Sequence, residues 1–241
     1  SISIDNPLDS SRNNLRTSLK NSLLDNLLYN ERRQKDSIKL FEISDLYTKS
    51  DKINQEKKIG IITSGRRGLN YLDFSKKLDH AYLHDLLNQD SDNAVFKIKE
   101  ISRTDLKTKK KEKIFYSEIS VDKVPWHIFK DSESSSDHIN FIKYRSVSEF
   151  PSSTRDFSFS ITDSEKYDAV IDHLSELNDK NLKDAFIFDF YENKKLNEIK
   201  VGIRLIFQST FNTLSEDEIN KSVNKLLKPI VDLEGVSIPG L

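Results

Sequence analysis

The deciding stretch of this sequence runs from Lys143 to Ile161 and reads KYRSVSEFPSSTRDFSFSI. It begins with basic and aromatic residues and ends in strict alternation, with apolar residues at 157, 159 and 161 and serines at 158 and 160. Period-two alternation predicts a strand with one buried face. Pro151 cannot donate to a sheet ladder, so it belongs before the strand or at a sheet edge. The pair Arg155-Asp156 therefore stands where the strand begins.

Five more elements are predicted after this strand. A helix with an apolar stripe comes first, then strands over 185–191 and 201–209, then a second helix, then a short strand over 236–238. Ser215 with Glu218 three residues later is a capping box that starts the second helix. The order strand–helix–strand–strand–helix–strand is the ferredoxin-like arrangement. It predicts a four-stranded sheet with both helices on one face and the other face open.

The strand predicted over 185–191 reads AFIFDFY. Simple alternation places Phe186, Phe188 and Phe190 on one face and Asp189 on the other. An ionised Asp buried without a partner would cost several kcal/mol. We therefore expect Asp189 either to be exposed on the open face or to pair with a neighbouring Arg, for which Arg204 is the candidate.

The first 130 residues also show helix and strand patterns. Leucines at three- and four-residue steps predict a helix over about 17–33, and KLFEISDLY predicts a strand over 39–47. A strand at 59–63 and a helix over 71–87, with Phe74 on its apolar face, follow. The charge run TDLKTKKKEK at 104–113 lies between two predicted strands. It is either a solvated hairpin tip or an arm that contacts phosphates.

Composition limits the possible functions. The 241 residues are enough for one large domain or two ordinary ones, and the lack of Cys excludes disulfides and thiolate metal sites. No apolar run is long enough to span a membrane. The chain also lacks Met, so we expect a fragment of a longer product. Residues 138–241 hold 13 Lys and Arg against 17 Asp and Glu, so an RNA contact there would depend on local shape rather than on net charge.

No catalytic constellation is visible. His80 and His84 have the spacing of a zinc-binding helix, but Ala81 stands where the general base of that motif would be. The turn SGRRG at 64–68 is a candidate phosphate loop, yet it lacks the expected strand–helix pattern and is interpreted as a solvated turn. We predict no catalytic residue, no metal ligand and no cofactor site in this sequence.

The deciding stretch resembles the C-terminal ferredoxin-fold anticodon-binding domain of the bacterial phenylalanyl-tRNA synthetase beta subunit. The family pattern is K-Y-x-P-V-x-x-F-P-x-x-x-R-D-hydrophobic, and this chain has Ser146 where the family has Pro. The positions that match are Lys143, Tyr144, Val147, Phe150, Pro151, Arg155 and Asp156. Later matches follow in order at FDFY (188–191), RLIFQ (204–208) and TLSEDE (213–218).

Residues 6–90 more loosely resemble the catalytic-like domain of the same subunit. The matches are NPL at 6–8, RTSL at 16–19 and LFEI at 40–43. From Ala94 to Val124 the chain lacks the family's His-Pro-Gly and Gly-Glu-Leu-His-Pro segments. The resemblance implies an α+β chain, with an incomplete, inactive class II synthetase-like antiparallel sheet domain at 1–130, a linker at 131–137 and a ferredoxin-like βαββαβ anticodon-binding domain at 138–241.

The resemblance also implies which residues contact tRNA. The family's contacts map onto Ser158, Asp189 and Lys200, and Arg155 is a further candidate. A structural alternative for Arg155 is a salt bridge with Asp156 or with Asp189.

The resemblance implies a subunit of phenylalanine–tRNA ligase that is itself non-catalytic. Its partners would be tRNA(Phe) and the alpha subunit, which would perform the chemistry with ATP and Mg²⁺ in a cytoplasmic heterotetramer of two alpha and two beta chains. No membrane partner is expected. Two alternatives remain. A single-chain synthetase ends in the same domain, but residues 1–137 lack its Gly-rich Arg motif. A stand-alone regulatory or RNA-binding module is the other, and the regulatory form requires a Gly that residues 161–165 do not contain.

Overall fold

The structure is a computed structural model that describes residues 2–7, 13–88, 96–124 and 147–239. The chain divides into two compact units. Unit 1 comprises Ser1–Arg67 and Lys77–Ile139, and unit 2 comprises Gly68–Lys76 and Asn140–Leu241. The linker predicted at 131–137 lies outside the described residues, and the division at 130 and 138 stays a prediction.

Unit 1 is an antiparallel sheet with one long helix packed on it. Its elements are β1 (Ile2–Ser3), β2 (Asn14–Leu15), α1 (Lys20–Arg32), β3 (Ser37–Lys49), β4 (Ile53–Gly65), α2 (His80–Asn88), β5 (Lys99–Ile101) and β6 (Ile114–Ser120). The four-stranded sheet has the order β3-β4-β6-β5, and every pair in it is antiparallel. β1 and β2 pair separately. The antiparallel sheet expected for this half of the chain is confirmed.

The leucines of α1 form the core of unit 1. Leu19, Leu23 and Leu27 are buried and pack with Ile62 of β4. A Cβ on Gly60 would lie 2.9 Å from Leu19 Cβ and from Leu23 Cδ1, so the glycine allows the helix to approach the sheet closely. The helix predicted over 17–33 is therefore confirmed, with its regular part beginning at Lys20.

The strand predicted over 39–47 is also confirmed and lies within β3. Leu40 packs against the core beneath α1, and Glu42 on the same face accepts a hydrogen bond from Arg16 Nη1 at 2.5 Å. Phe41 and Ile43 project from the opposite face, where they are 73% and 51% exposed.

The helix predicted over 71–87 is wrong in its first half, because α2 begins only at His80. Asn70 Oδ1 accepts hydrogen bonds from Leu72 N at 3.0 Å and from Asp73 N at 3.1 Å. Such side-chain turns compete with helix formation. Phe74, predicted on the apolar face of the helix, instead belongs to unit 2.

Unit 2 has the predicted ferredoxin-like order. Its elements are β7 (Ser153–Ile161), α3 (Tyr167–Ser175), β8 (Leu182–Asn193), β9 (Glu198–Phe207), α4 (Glu216–Val231) and β10 (Val236–Ser237). The spatial order of the strands is β10-β7-β9-β8, and all three pairs are antiparallel. The βαββαβ prediction is confirmed.

The core of unit 2 lies between this sheet and its two helices. Phe159 and Ile161 are fully buried, as the alternation in β7 predicts, and they pack with Ile219 and Ile230 of α4. Burying one such side chain contributes roughly 1.5–3 kcal/mol. The capping box is present, since Ser215 N donates to Glu218 Oε2 at 2.8 Å and Glu218 N donates to Ser215 Oγ at 3.3 Å. Within the described ranges, no helix is long and apolar enough to cross a membrane.

One buried ion pair links the loop between β5 and β6 to α1. Arg103 donates to the two carboxylate oxygens of Glu31 at 2.7 and 3.1 Å, and also to Ser64 Oγ at 2.9 Å. The side chains of Glu31 and Arg103 are only 5% and 14% exposed. Removing one partner of such a pair leaves a buried charge without compensation.

We predict that Arg103→Ala lowers the free energy of local unfolding of α1 by about 3 kcal/mol, because Glu31 loses the cation that compensates its buried charge. Lys113→Ala is the matched control, since Lys113 and Glu100 form a pair that is 63% and 50% exposed in the same hairpin. That change is expected to cost less than about 1 kcal/mol. Amide hydrogen exchange of α1 peptides measures both, and equal small effects would contradict the prediction.

Candidate nucleic-acid interface

The face of the unit 2 sheet that points away from the helices displays two rows of polar side chains. In the first row, Ser158 of β7 and Asp189 of β8 flank Gly202 of β9. In the second row, Ser160 and Tyr191 flank Lys200. Neighbouring strands are about 4.8 Å apart, so each row spans about 10 Å across three strands. Sheet pairing thus brings together three of the four predicted site residues, namely Ser158, Asp189 and Lys200.

Because of a β-bulge in β8, the phenylalanines of this strand do not share one face as predicted. The register between β8 and β9 shifts between Ile187 and Asp189, so Phe188 is the extra residue. Phe188 Cζ lies 3.0 Å from the position of a Cβ on Gly202, and Asp189 Cβ lies 2.9 Å from it. Phe188 and Asp189 therefore share the outer face. Phe190, predicted to share a face with Phe188, packs into the helix-covered core instead.

The outer face is not entirely open, contrary to prediction. The ring of Phe74 lies 5.9 Å from that of Phe186 and 5.3 Å from that of Phe188 between centroids. Phe74 itself is only 8% exposed. The physical reason is the bulge, which leaves two phenylalanines on the outer face that need an apolar cover. The two rows around Gly202 and Lys200 are not covered in this way, since Ser158, Asp189, Tyr191 and Lys200 are all exposed.

Arg204 pairs with Asp156 and not with Asp189, which corrects the sequence interpretation. Its Nε and Nη2 atoms donate to the two oxygens of Asp156 at 2.8 and 2.7 Å. The guanidinium also lies over the rings of Phe74 and Phe188, at 4.9 and 5.6 Å from their centroids. The partner of Arg204 is thus the residue directly opposite it in the β7–β9 register. Asp189 instead accepts a hydrogen bond from Phe190 N at 3.0 Å.

In the second row, the cation Lys200 is only partly neutralised by a neighbouring carboxylate. Lys200 Nζ lies 3.6 Å from Glu198 Oε1, and the same oxygen accepts a hydrogen bond from Ser160 Oγ at 2.7 Å. Lys200 is 50% exposed, so its charge remains accessible to a ligand. With Asp156, Asp189 and Glu198 on this face against Arg204 and Lys200, the face is not basic.

Arg155, the fourth predicted site residue, is not part of this face. It alternates with Asp156 and projects toward the helices, where Nη2 donates to Glu216 Oε1 at 2.5 Å and Nη1 donates to Thr154 O at 3.0 Å. The predicted alternative, a salt bridge of Arg155 with Asp156 or with Asp189, is therefore wrong. Glu216 lies in the first turn of α4, so the pair connects the start of β7 to that helix. A tRNA contact by Arg155 stays a prediction.

Tyr191 is the residue that the sequence reasoning missed. It is 55% exposed and stands in the second row beside Lys200. The available signal was its position two residues after Asp189, because residues i and i+2 of a strand share a face. An exposed aromatic ring on a sheet is a stacking surface for an unpaired base.

The other motifs singled out in the sequence have structural roles in unit 1. In the SGRRG turn, Arg66 Nε donates to Asp36 at 2.8 Å and Arg67 Nη2 donates to Asp79 at 2.6 Å. The hydrogen bond from Tyr82 N and then the one from Arg67 hold the pKa of Asp79 below its usual value. His80 and His84 stack with ring centroids 6.3 Å apart. Among the described residues, no three His, Asp or Glu side chains are grouped so that they could hold a metal ion.

The fold and this face together define a class of protein. Two helices on one side of a four-stranded antiparallel sheet, with hydrogen-bonding and aromatic side chains exposed on the other, is the design of ferredoxin-like RNA-recognition domains. Residues 148–238 match the sequence model of the ferredoxin-fold anticodon binding domain. Residues 1–115 match that of the phenylalanyl tRNA synthetase beta chain CLM domain.

The chain belongs to the phenylalanyl-tRNA synthetase beta-chain family, as the resemblance in its sequence indicates. It is 25% identical over 268 residues to the chloroplastic phenylalanine–tRNA ligase beta subunit of Porphyra purpurea, which covers 95% of this chain and 36% of the relative. It is 26% identical over 258 residues to the beta subunit of Carboxydothermus hydrogenoformans, covering 97% and 32%. Against the beta subunit of Francisella tularensis, 91 residues are 33% identical, covering 38% and 11%. The chain thus spans about a third of the length of the first two relatives.

We predict that Gly202→Ala destabilises unit 2 by about 1–3 kcal/mol, because the new methyl group overlaps Asp189 and Phe188 and over-packs the site. Ser158→Ala, in the same row, is the matched control and should change the stability by less than about 0.5 kcal/mol. A urea titration followed by the NMR signals of β8 and β9 measures both. Unchanged stability in Gly202→Ala would show that the contact around Gly202 is looser than described.

Proposed function

We propose that unit 2 binds the anticodon region of tRNA(Phe), and that the chain serves as a non-catalytic part of the beta subunit of phenylalanine–tRNA ligase. The observation that supports this most is the exposed double row that unites Ser158, Asp189 and Lys200 on one sheet face. These are the positions onto which the family resemblance maps its tRNA contacts. The names of the relatives and the anticodon-binding domain model support the same assignment.

The chemistry of the face suits an unpaired base better than a phosphate backbone. The carboxylate of Asp189 accepts hydrogen bonds from the N–H groups of a base, while the Ser158 hydroxyl can donate or accept. The ring of Tyr191 offers stacking, and Lys200 can reach a nearby phosphate. Because the acidic and basic side chains nearly balance, affinity should depend only weakly on salt. Recognition would therefore rest on shape and hydrogen bonding.

In this proposal unit 1 is a catalytically silent scaffold. Aminoacylation with ATP and Mg²⁺ would take place in the alpha subunit, within a cytoplasmic heterotetramer of two alpha and two beta chains. In the described part of unit 1, Arg66 and Arg67 of the SGRRG turn pair with Asp36 and Asp79, which supports a structural role for that turn rather than nucleotide binding. The absence of Cys suits a reducing compartment.

We predict that Asp189→Ala in the intact heterotetramer weakens binding of tRNA(Phe) by about tenfold, the equivalent of one lost hydrogen bond to a charged group at about 1.4 kcal/mol. Ser158→Trp should weaken binding at least as much, because the indole blocks the first row. Filter binding or fluorescence anisotropy with tRNA(Phe) measures both.

Asp172→Ala is the matched control for this experiment. Asp172 is an exposed acid on α3, in the helical layer, so its loss should leave tRNA affinity unchanged. If Asp189→Ala and Ser158→Trp both bind tRNA(Phe) like the unaltered enzyme, the face is not the anticodon site. A loss with Arg155→Ala would support the separate prediction made for that residue.

A further inference from the structure

The loop between β5 and β6 is a strongly basic segment of unit 1. Residues 103–113 read RTDLKTKKKEK and contain six Lys and Arg against two Asp and Glu. The antiparallel pairing of β5 with β6 confirms that this run is a hairpin connection. A solvated tip and a phosphate-contacting arm are the two interpretations of its sequence, and the contacts of the loop distinguish them.

Side-chain contacts attach the loop between β5 and β6 to α1, so it is not a solvated hairpin tip. Arg103 turns inward to the buried carboxylate of Glu31. Thr108 Oγ1 donates to Glu31 Oε2 at 3.0 Å, and Leu106 packs against the core beneath α1. These contacts hold the backbone on both sides of Lys107. The loop backbone from which the lysine side chains extend is therefore held against α1.

Two glutamates beside the loop, Glu112 and Glu100, are already paired with other cations. Lys77 Nζ donates to Glu112 at 3.0 Å, and this hydrogen bond is the main cause that lowers the pKa of Glu112 to about 2. Lys113 Nζ donates to Glu100 at 2.9 Å. Glu112 is thus ionised at neutral pH and matched by Lys77. The charge of Lys110 also contributes to the low pKa of Glu112.

The cations of the loop border a cleft with the end of α1. Its volume is about 350 Å³, and it is lined by Leu28, Glu31, Arg32, Lys107, Thr108, Lys109 and Lys110. Among the described lining residues Glu31 is the single carboxylate, and it is bound by Arg103. None of the ion pairs between described residues involves Arg32, Lys107 or Lys109. The cleft is therefore a strongly positive concavity.

Favourable interaction with the C-terminal end of α1 does not account for the number of cations that line this cleft. The C-terminal end of a helix carries the equivalent of about −0.5 elementary charge, which one nearby cation offsets. Four cations line this cleft. Like charges that border one cleft repel each other, and an anionic ligand bound there would relieve that repulsion.

We propose that this cleft, which we call the loop–helix cleft, binds the phosphodiester backbone of RNA as a second contact site separate from the anticodon-region face. The choice of RNA as the polyanion rests on the proposed function of the chain. A membrane surface fits less well, because Leu28 is the single apolar residue in the described part of the lining and is half-buried. The contact would not depend on base sequence, since lysines reach phosphates as point charges.

The test uses the full chain and a fluorescein-labelled RNA duplex of about 20 base pairs without a loop, a length comparable to that spanned by duplex RNA-binding domains. Binding is followed by anisotropy over a range of salt concentrations. The variant Arg32→Ala/Lys107→Ala/Lys109→Ala should bind the duplex about tenfold more weakly or worse, with a salt slope smaller by about 2–3, since each lost phosphate contact removes 0.7–0.9.

The matched control removes three other exposed cations of unit 1, in Lys20→Ala/Lys49→Ala/Lys52→Ala. Lys20 begins α1, about 18 Å from Arg32 at its other end. Lys49 ends β3, about 40 Å from the residue that begins this strand beside the end of α1. This control should keep the affinity and salt slope of the unaltered chain. Arg32→Lys/Lys107→Arg/Lys109→Arg, which keeps the charges, should also bind normally, and thermal melting checks that all variants are folded.

Two further arms separate this proposal from that of the anticodon face. Asp189→Ala should leave duplex binding unchanged and weaken only the binding of an isolated anticodon stem-loop of tRNA(Phe). An unaffected stem-loop would therefore overturn the anticodon face alone. The loop–helix cleft proposal is overturned if the unaltered chain does not bind the duplex, or if the cleft variant binds it like the unaltered chain. If the cleft variant loses cosedimentation with phosphatidylcholine–phosphatidylserine vesicles while duplex binding stays intact, the cleft is assigned to membranes instead.

Discussion

The antiparallel register between β7 and β9 is the constraint on which the rest of unit 2 depends. It sets Phe159 opposite Val201 in the core and, one residue away, Ser158 opposite Gly202 on the outer face. A shift by one residue would exchange these two sets and place serines under the helices. The same register puts Asp156 opposite Arg204, so the ion pair of the outer face follows from strand pairing. Core and candidate site are therefore fixed by one set of hydrogen bonds.

The bulge in β8 adds what regular pairing cannot provide. It turns Phe188 and Asp189 to the same face, one beside the other, next to the bare backbone of Gly202. Part of the outer face is covered by another aromatic ring, and part of it is exposed. Phe74 covers the part formed by Phe186 and Phe188, while Asp189 and the neighbouring Tyr191 remain exposed. Bulges commonly redirect side chains at functional sites in this way.

The two units differ in how they use charge. On the unit 2 face, cations and anions nearly balance, and Arg204 is held by Asp156 and two aromatic rings. In unit 1, the buried Glu31–Arg103 pair holds a loop in which the cations of the loop–helix cleft outnumber the acids. A balanced face favours selective hydrogen bonds, whereas an unbalanced cleft favours attraction to any polyanion. A buried ion pair is weak support for stability, but it is well suited to fix one loop conformation.

Local patterns in the chain were sufficient to predict the ferredoxin-like order of unit 2, the apolar faces of α1 and β7, and the capping box at Ser215, because these features depend on residues close together in sequence. The sequence also indicated Ser158, Asp189 and Lys200. Four features became visible only in the folded chain: Arg204 pairs with Asp156, Arg155 reaches Glu216, Phe188 joins Asp189 on the outer face, and Phe74 lies in unit 2. Alternation cannot reveal a bulge, since one inserted residue reverses every face after it, and the partner of an Arg or the cover of a Phe is set by segments distant in sequence.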